Sequence, residues 1–133
     1  MESLELAGWR QRKLGRFADR LGPLWTRKEG DAWAYGLLPT DDHLNPAGFV
    51  HGGVLCALFD HAVSAIAWEA AGRRACVTVQ LSTQFMSAAR EGQFLEARGK
   101  VVRLTTTLAF VEASISNGEN EFLRGSGVLK IMS

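Results

Sequence analysis

The sequence predicts an α+β fold, in which a curved antiparallel sheet wraps around one long, buried helix within a single domain spanning residues 1–133. Three observations predict it. The stretch from Gly53 to Ala71 is apolar on nearly every face, through Val54, Leu55, Leu58, Phe59, Ala62, Val63, Ile66 and Trp68. A helix that is hydrophobic all round is buried in a core or crosses a membrane. Behind it come four segments of strand texture with short turn signals between them, the pattern of an antiparallel meander. Finally, 133 residues without internal repeats or low-complexity stretches suit one domain with its own core.

The elements follow in chain order. Leu4 to Leu21 reads as an amphipathic helix, with Leu14, Phe17 and Leu21 at helical spacing and Arg10, Lys13 and Arg20 between them as a solvated face. Residues 1–21 thus form an N-terminal helix, and Gly22-Pro23 separates it from a core at 22–133. Trp33 to Leu38 reads as a strand. Asp41 to Gly48 is a polar loop whose Asn45-Pro46 pair favours a turn. The central helix, about 53–71, contains Asp60, His61 and Glu69, and such charges are costly inside a bilayer, which favours a buried helix over a membrane span. From Val77 to Phe85 the period becomes two: Val77, Val79, Leu81 and Phe85 alternate with Thr78, Gln80, Ser82 and Gln84, as expected of a strand with one buried face. Further strands are expected over Phe94–Val102, Thr106–Ser116 and Phe122–Ile131, with turns at Arg90-Glu91-Gly92 and Asn117-Gly118.

Composition narrows the function classes. The formal net charge is +1, which argues against a nucleic-acid partner, since such proteins carry a clear basic excess. Glu2 and Glu5 stand among the first residues and no apolar run follows them, so no signal peptide is expected. Cys56 and Cys76 both lie in apolar runs. Buried free thiols in a cytoplasmic protein are the expectation. The three histidines and two cysteines show no metal-ligand spacing, and His43 reads as a surface loop residue.

Asp60 fits its surroundings least. It lies mid-helix among Leu58, Phe59, Ala62 and Val63, where aspartate has poor helix propensity. A carboxylate taken into a core is normally paired or functional. A local wet patch or a capping contact would also account for it. The second feature is Gly48-Phe49-Val50-His51-Gly52-Gly53, directly ahead of the helix. Glycines permit close backbone approach, and the first helical N–H groups lack intrahelical partners. Together with the helix dipole they favour negative charge, including a developing oxyanion. Gly52 and Asp60 are eight residues apart, about 12 Å along a helix. One carbonyl cannot touch both in the same subunit, so joint action requires a second chain, with its helix antiparallel across a two-fold axis.

Asn45-Pro46-Ala47-Gly48-Phe49-Val50-His51-Gly52-Gly53 followed by Asp60 resembles the PaaI-like acyl-CoA thioesterases of the hotdog superfamily. The likeness continues through Val77-Thr78-Val79-Gln80-Leu81, Phe85-Met86, Thr107-Leu108-Ala109-Phe110-Val111 and Arg124-Gly125-Ser126-Gly127, so that it runs from about Gly22 to the C-terminal end of the sequence. The resemblance implies a hotdog fold and hydrolysis of an aromatic or medium-chain acyl-CoA to free acid and CoA. It also implies a homotetramer built from dimers with the active site at the dimer interface, and no cofactor.

By matching positions, Asp60 would be the nucleophile or the general base. The Gly52 N–H would polarise the thioester carbonyl, Asn45 would position water or the carbonyl, and Thr78 would stand beside the carboxylate. His51 would chiefly hold the turn, with direct proton transfer as its other role. Gly53, Phe59 and Val63 would contribute to substrate binding. The chain departs from the pattern at Leu104-Thr105, where relatives carry a glycine-containing or basic turn, and at Ser87-Ala88-Ala89, which lacks a proline. No basic residue is therefore assigned to the CoA phosphates. A non-catalytic binding module and a hydratase are the alternative functions on such a fold. Asp60 favours the hydrolase.

Overall fold

A computed structural model describes residues 2–133. Helix α1 (Glu2–Leu6), strand β1 (Arg10–Arg12), helix α2 (Arg16–Leu21), strands β2 (Leu24–Glu29) and β3 (Ala32–Leu37), helix α3 (Gly52–Ala70) and strands β4 (Cys76–Phe85), β5 (Leu95–Leu104), β6 (Leu108–Ser116) and β7 (Glu121–Ile131) follow in order. The strands form one antiparallel sheet in the order β1-β2-β3-β5-β6-β7-β4. This is the hotdog fold, with α3 laid against the inner face of the sheet. Leu55, Leu58, Phe59, Ala62, Val63 and Ala67 of α3 are buried. They share one apolar cluster with Leu95, Ala97, Val111, Ile115, Leu123 and Leu129 of the sheet. The central helix is thus a core element, within one residue of the expected span at each end.

Several expectations are corrected. The N-terminal segment is not one helix. Gly8 and Gly15 take positive φ values of 97° and 80°, which breaks Leu4–Leu21 into α1, β1 and α2. Backbone of that kind suits glycine and cannot continue a helix. Strand β2, missed in the sequence, pairs residue by residue with β3 from Leu24↔Leu37 to Glu29↔Ala32. Its polar run Thr26-Arg27-Lys28-Glu29 concealed a strand whose buried members are Leu24 and Trp25. The strands after α3 are not a simple meander either, because β4 crosses to pair with β7 rather than β5.

The fourth correction concerns which face of β4 is buried. Val77, Val79 and Phe85 are 52%, 61% and 56% exposed, whereas Thr78, Leu81 and Thr83 are half-buried. The register with β7 shifts between Thr78 and Gln80. A bulge inserts an extra residue and reverses the alternation beyond it, so Thr78 and Leu81 fall on the same side of the strand. At the sheet's edge, Val77 and Val79 therefore point away from the subunit's own core, while Leu81 beyond the bulge packs against it.

A second, smaller cluster of Trp9, Trp25 and Ala34, with Leu4 and Phe94 against it, has formed apart from the main core. The Phe94 ring lies directly over Gly36, where a Cβ would collide with it. His43 is buried rather than at the surface, 8% exposed. Its Nδ1 accepts from the Thr40 N–H at 2.9 Å, and its Nε2 hydrogen-bonds the carbonyl oxygen of Leu21. The imidazole therefore ties the loop before α3 to the end of α2, a contact between residues 22 positions apart that local sequence could not reveal.

Candidate active site

Helix α3 presents two faces of different texture. Its large apolar residues go to the sheet, while Cys56, Ala57, Asp60, His61, Ser64 and Ala65 are half-buried and form a stripe at spacings of three and four, one side of a helix. The open sheet leaves this stripe uncovered except where α2 crosses it. A recess of about 480 Å³ results, lined by Phe17, Ala18 and Leu21 of α2, by Gly53, Cys56, Ala57, Asp60, His61 and Ser64 of α3, and by Leu81. On the sheet side, a Cβ at Gly127 would stand 3.1 Å from Leu81 and 3.3 Å from Val63, so the absence of a side chain there lets α3 approach β7.

Asp60 sits in this recess. Thr78 Oγ1 donates to its Oδ1 at 2.6 Å. The bulge in β4 turns Thr78 inward for this contact. The second carboxylate oxygen, Oδ2, has no hydrogen-bond partner among the described residues and remains available to a ligand. Asp60 is therefore neither stranded in the core nor used as a cap. Its carboxylate lies at the boundary between apolar helix and open recess.

The N-terminus of α3 is organised by His51, its N-cap residue, whose Nδ1 accepts from the Gly53 N–H at 2.8 Å. The His51 N–H itself donates to the His43 carbonyl at 2.9 Å. The Gly53 donor is thereby consumed, while the Gly52 N–H makes no hydrogen bond among the described residues. Phe85 lies against Gly52, 3.4 Å from where a Cβ would be. Asn45 Oδ1 accepts from the N–H groups of Ala47 and Phe49 at 3.0 and 3.1 Å. Its carbonyl is thus spent on shaping the loop, and only the amide N–H₂ is left to meet a ligand.

The structure joins Asp60 to Thr78, and His51 to Gly53, within one subunit. It leaves Gly52 and Asp60 eight residues apart on the same helix. Phe59 and Val63 are fully buried in the main cluster and do not line the recess. They are core residues, and the wall facing Asp60 is made instead by Cys56, Ala57, Ser64 and Leu81. The small side chains Cys56, Ala57 and Ser64, spaced three and four residues from Asp60, were the signal for this wall. His61 was set aside in the sequence, yet its ring lines the recess and packs edge-on against Tyr35 with centroids 5.8 Å apart. Burial pushes its pKa below the ordinary histidine value, with the Asp60 carboxylate opposing that effect. Among the described residues, no group of three or more His, Cys, Asp or Glu is placed to hold a metal ion.

Known proteins resemble the chain in sequence and in fold. Residues 47–123 match the model of the thioesterase superfamily. A Pseudomonas aeruginosa protein named as an esterase is 33% identical over 115 residues, covering 85% of this chain and 86% of that one. The solved structure of a phenylacetic acid degradation-related thioesterase from Ralstonia eutropha superposes with a TM-score of 0.77 at 25% identity, covering 97% and 98% of the two chains. A thioesterase protein of Streptococcus pneumoniae, solved with coenzyme A, gives a TM-score of 0.71 at 21% identity over 83% of this chain and 86% of that one. The PaaI-like motif, the hotdog sheet and these matches converge. The chain belongs to the thioesterase superfamily and is a thioester hydrolase.

Proposed function

We propose that the chain hydrolyses acyl-CoA thioesters with Asp60 as the reacting carboxylate. The observation that carries this reading is the Thr78–Asp60 hydrogen bond of 2.6 Å, which fixes one oxygen of a carboxylate that lines the recess. As general base, Asp60 takes a proton from water while the water oxygen attacks the carbonyl carbon, and CoA leaves as the thiolate. As nucleophile, the carboxylate attacks, the C–S bond breaks, and water then cleaves the resulting anhydride. Both routes develop negative charge on the carbonyl oxygen, for which the unpaired Gly52 N–H at a helix N-terminus is a fitting donor. The coenzyme A held by the pneumococcal neighbour supports CoA as the leaving group.

The donor acting on Asp60's substrate comes from a second copy. Antiparallel pairing of two α3 helices sets the Gly52 of one subunit beside the Asp60 of the other and creates two equivalent sites. The edge strand β4, with its exposed Val77 and Val79, offers an unpaired ladder and apolar area for such a dimer. Two dimers then form the tetramer. Asn45 and His51 act as positioning groups for the loop that carries Gly52.

The test is release of free thiol from a panel of aromatic and aliphatic acyl-CoAs by wild type and Asp60→Asn. Loss of roughly three or more orders of magnitude in kcat/KM by a folded variant is expected of a residue acting directly in the reaction. Equal activity in both proteins would remove Asp60 from the mechanism.

A further inference from the structure

Among the described residues, His43 is the one polar side chain buried in the subunit, and it stands at the base of the turn that delivers Gly52. Inside that turn the chain closes on itself. Leu44 bridges Val50, the Asn45 N–H donates to the Phe49 carbonyl at 2.7 Å, and the Gly48 N–H donates to the Asn45 carbonyl at 2.9 Å. The His43 carbonyl completes the closure by accepting from the His51 N–H at 2.9 Å. The turn is thus a unit whose aim is set by its ties to the rest of the fold. One such tie is the Val50 N–H, which donates to the Ala89 carbonyl at 2.8 Å. Another is the His43 ring. A backbone N–H can only donate, so Nδ1, facing the Thr40 N–H, is the ring's acceptor, and Nε2 carries the hydrogen donated to the Leu21 carbonyl. Gly22 makes room for that bond. A Cβ there would stand 3.0 Å from Nε2 and 3.2 Å from Leu37, on backbone whose φ of 134° favours glycine.

His43 reaches the chemistry through the start of α3. His51 spends its N–H on His43 and its Nδ1 on the Gly53 N–H. Its carbonyl takes the Val54 and Leu55 N–H groups at 2.9 and 3.3 Å. The Gly52 N–H is the donor left over in this first turn, and its direction follows the placement of His51. Resting on the thioesterase reading and its two-subunit site, we propose that His43 is a positioning residue for the reaction in the partner subunit. Through His51 it aims the Gly52 N–H at the carbonyl of a substrate held by the Asp60 of the other chain. A donor to a developing oxyanion must lie near its final place before the reaction begins, and a misplacement of about 1 Å costs on the order of a hundredfold in rate. The bonds to Thr40 and Leu21 hold the turn to that tolerance. Leu21 is itself anchored by burial in the main cluster, so the recess wall over the chain's own Asp60 stays in place without the ring. Loss of the imidazole is therefore felt at the other site.

The experiment measures kcat and KM of His43→Leu and His43→Gln with the acyl-CoA that wild type hydrolyses fastest. His43→Leu is expected to lose roughly tenfold or more in kcat while KM stays near that of wild type. His43→Gln, which keeps one acceptor and one donor, is expected to recover most of the loss. Were His43→Leu too unstable to purify, His43→Asn, which keeps the acceptor for Thr40 but not the reach to Leu21, takes its place. His43→Leu is then coexpressed with a large excess of Asp60→Asn, so that nearly every His43→Leu chain pairs with a chain whose turn is intact. Turnover per His43→Leu chain should return close to the wild-type value per site. An excess of the His43→Leu, Asp60→Asn double variant over wild type should instead pull each wild-type chain down to the His43→Leu level. A defect that stays with the Asp60 of the same chain would overturn the assignment, as would a folded His43→Leu enzyme with full kcat. Should wild type be inactive, or Asp60→Asn as active as wild type, the thioesterase reading is what fails, and amide hydrogen exchange decides on His43. In His43→Leu the His51 and Gly53 N–H groups should exchange roughly tenfold faster or more, beyond any change at Phe59 in the middle of α3. Equal changes at all three would reject its hold on the turn.

Discussion

Thr78 and Asp60, 18 residues apart in the chain, meet through a 2.6 Å hydrogen bond that ties edge strand β4 to the middle of helix α3. The contact exists because the bulge after Thr78 keeps this hydroxyl and Leu81 on the inner side while Val77 and Val79 face outward. It holds the Asp60 carboxylate in one orientation, as preorganised chemistry requires. Thr78→Val preserves shape and removes the donor. The variant is expected to fold normally and lose roughly ten- to a hundredfold in kcat, the scale of a misoriented catalytic group, with KM changing far less. Thr78→Ser should recover most of the loss. Steady-state kinetics with the acyl-CoA that wild type turns over best checks this, and a Thr78→Val enzyme with full kcat would show that the bond is only structural.

His43 anchors the loop that carries Asn45, His51 and Gly52. Its buried ring bonds Thr40 N–H on one side and the Leu21 carbonyl on the other. His43→Leu leaves both backbone groups without that partner, and each buried group so deprived costs about 1–3 kcal/mol. Urea unfolding of the variant should show a lower midpoint with an unchanged slope. A midpoint equal to that of wild type would mean that water replaces the imidazole without loss.

Glu29 joins β2 to β5 through Arg98, which donates to both its carboxylate oxygens at 2.8 Å, and it also receives Arg27. The hydrogen bond from Arg98 is the main cause that holds its pKa at about 2 instead of 4.5, burial working in the opposite direction and Arg27 adding to the depression. A carboxylate with a lowered folded-state pKa contributes stability that is fully present above the unfolded value and lost as pH falls through the folded one. The contribution of Glu29 should therefore disappear between pH 4.5 and about 2. Melting temperatures of wild type and Glu29→Gln, measured across that range, should differ most near neutrality and converge toward pH 2. A constant gap at every pH would contradict the assignment.

The exposed edge of β4 makes the assembly testable. Val79 is 61% exposed on that edge strand, where a charge disfavours pairing with another chain. Val79→Asp is expected to shift the particle to monomer in sedimentation and to abolish turnover together with the dimer, since the Gly52 donor comes from the partner. A monomer that retains full activity would break the two-subunit site.

The sequence by itself determined the helix that builds the core, the carboxylate that does not fit it, and the glycine turn ahead of it. These are local signals: an apolar run from Val54 to Trp68, Asp60 inside it, and His51-Gly52-Gly53 at its start. The order of the strands, the inward turn of Thr78, the burial of His43 and the core placement of Phe59 and Val63 were decided only by the tertiary structure. Each depends on pairings between distant segments. In β4 the period-two pattern was legible, but not which face it buries, because the bulge between Thr78 and Gln80 reverses the alternation. Likewise β2 hid among Thr26, Arg27, Lys28 and Glu29, a polar run in which Thr26 accepts from Arg12 of β1 and Glu29 from Arg98 of β5. Periodicity reports that a segment has two faces. Which face meets the core is settled by the free energy of packing against partners far away in the chain.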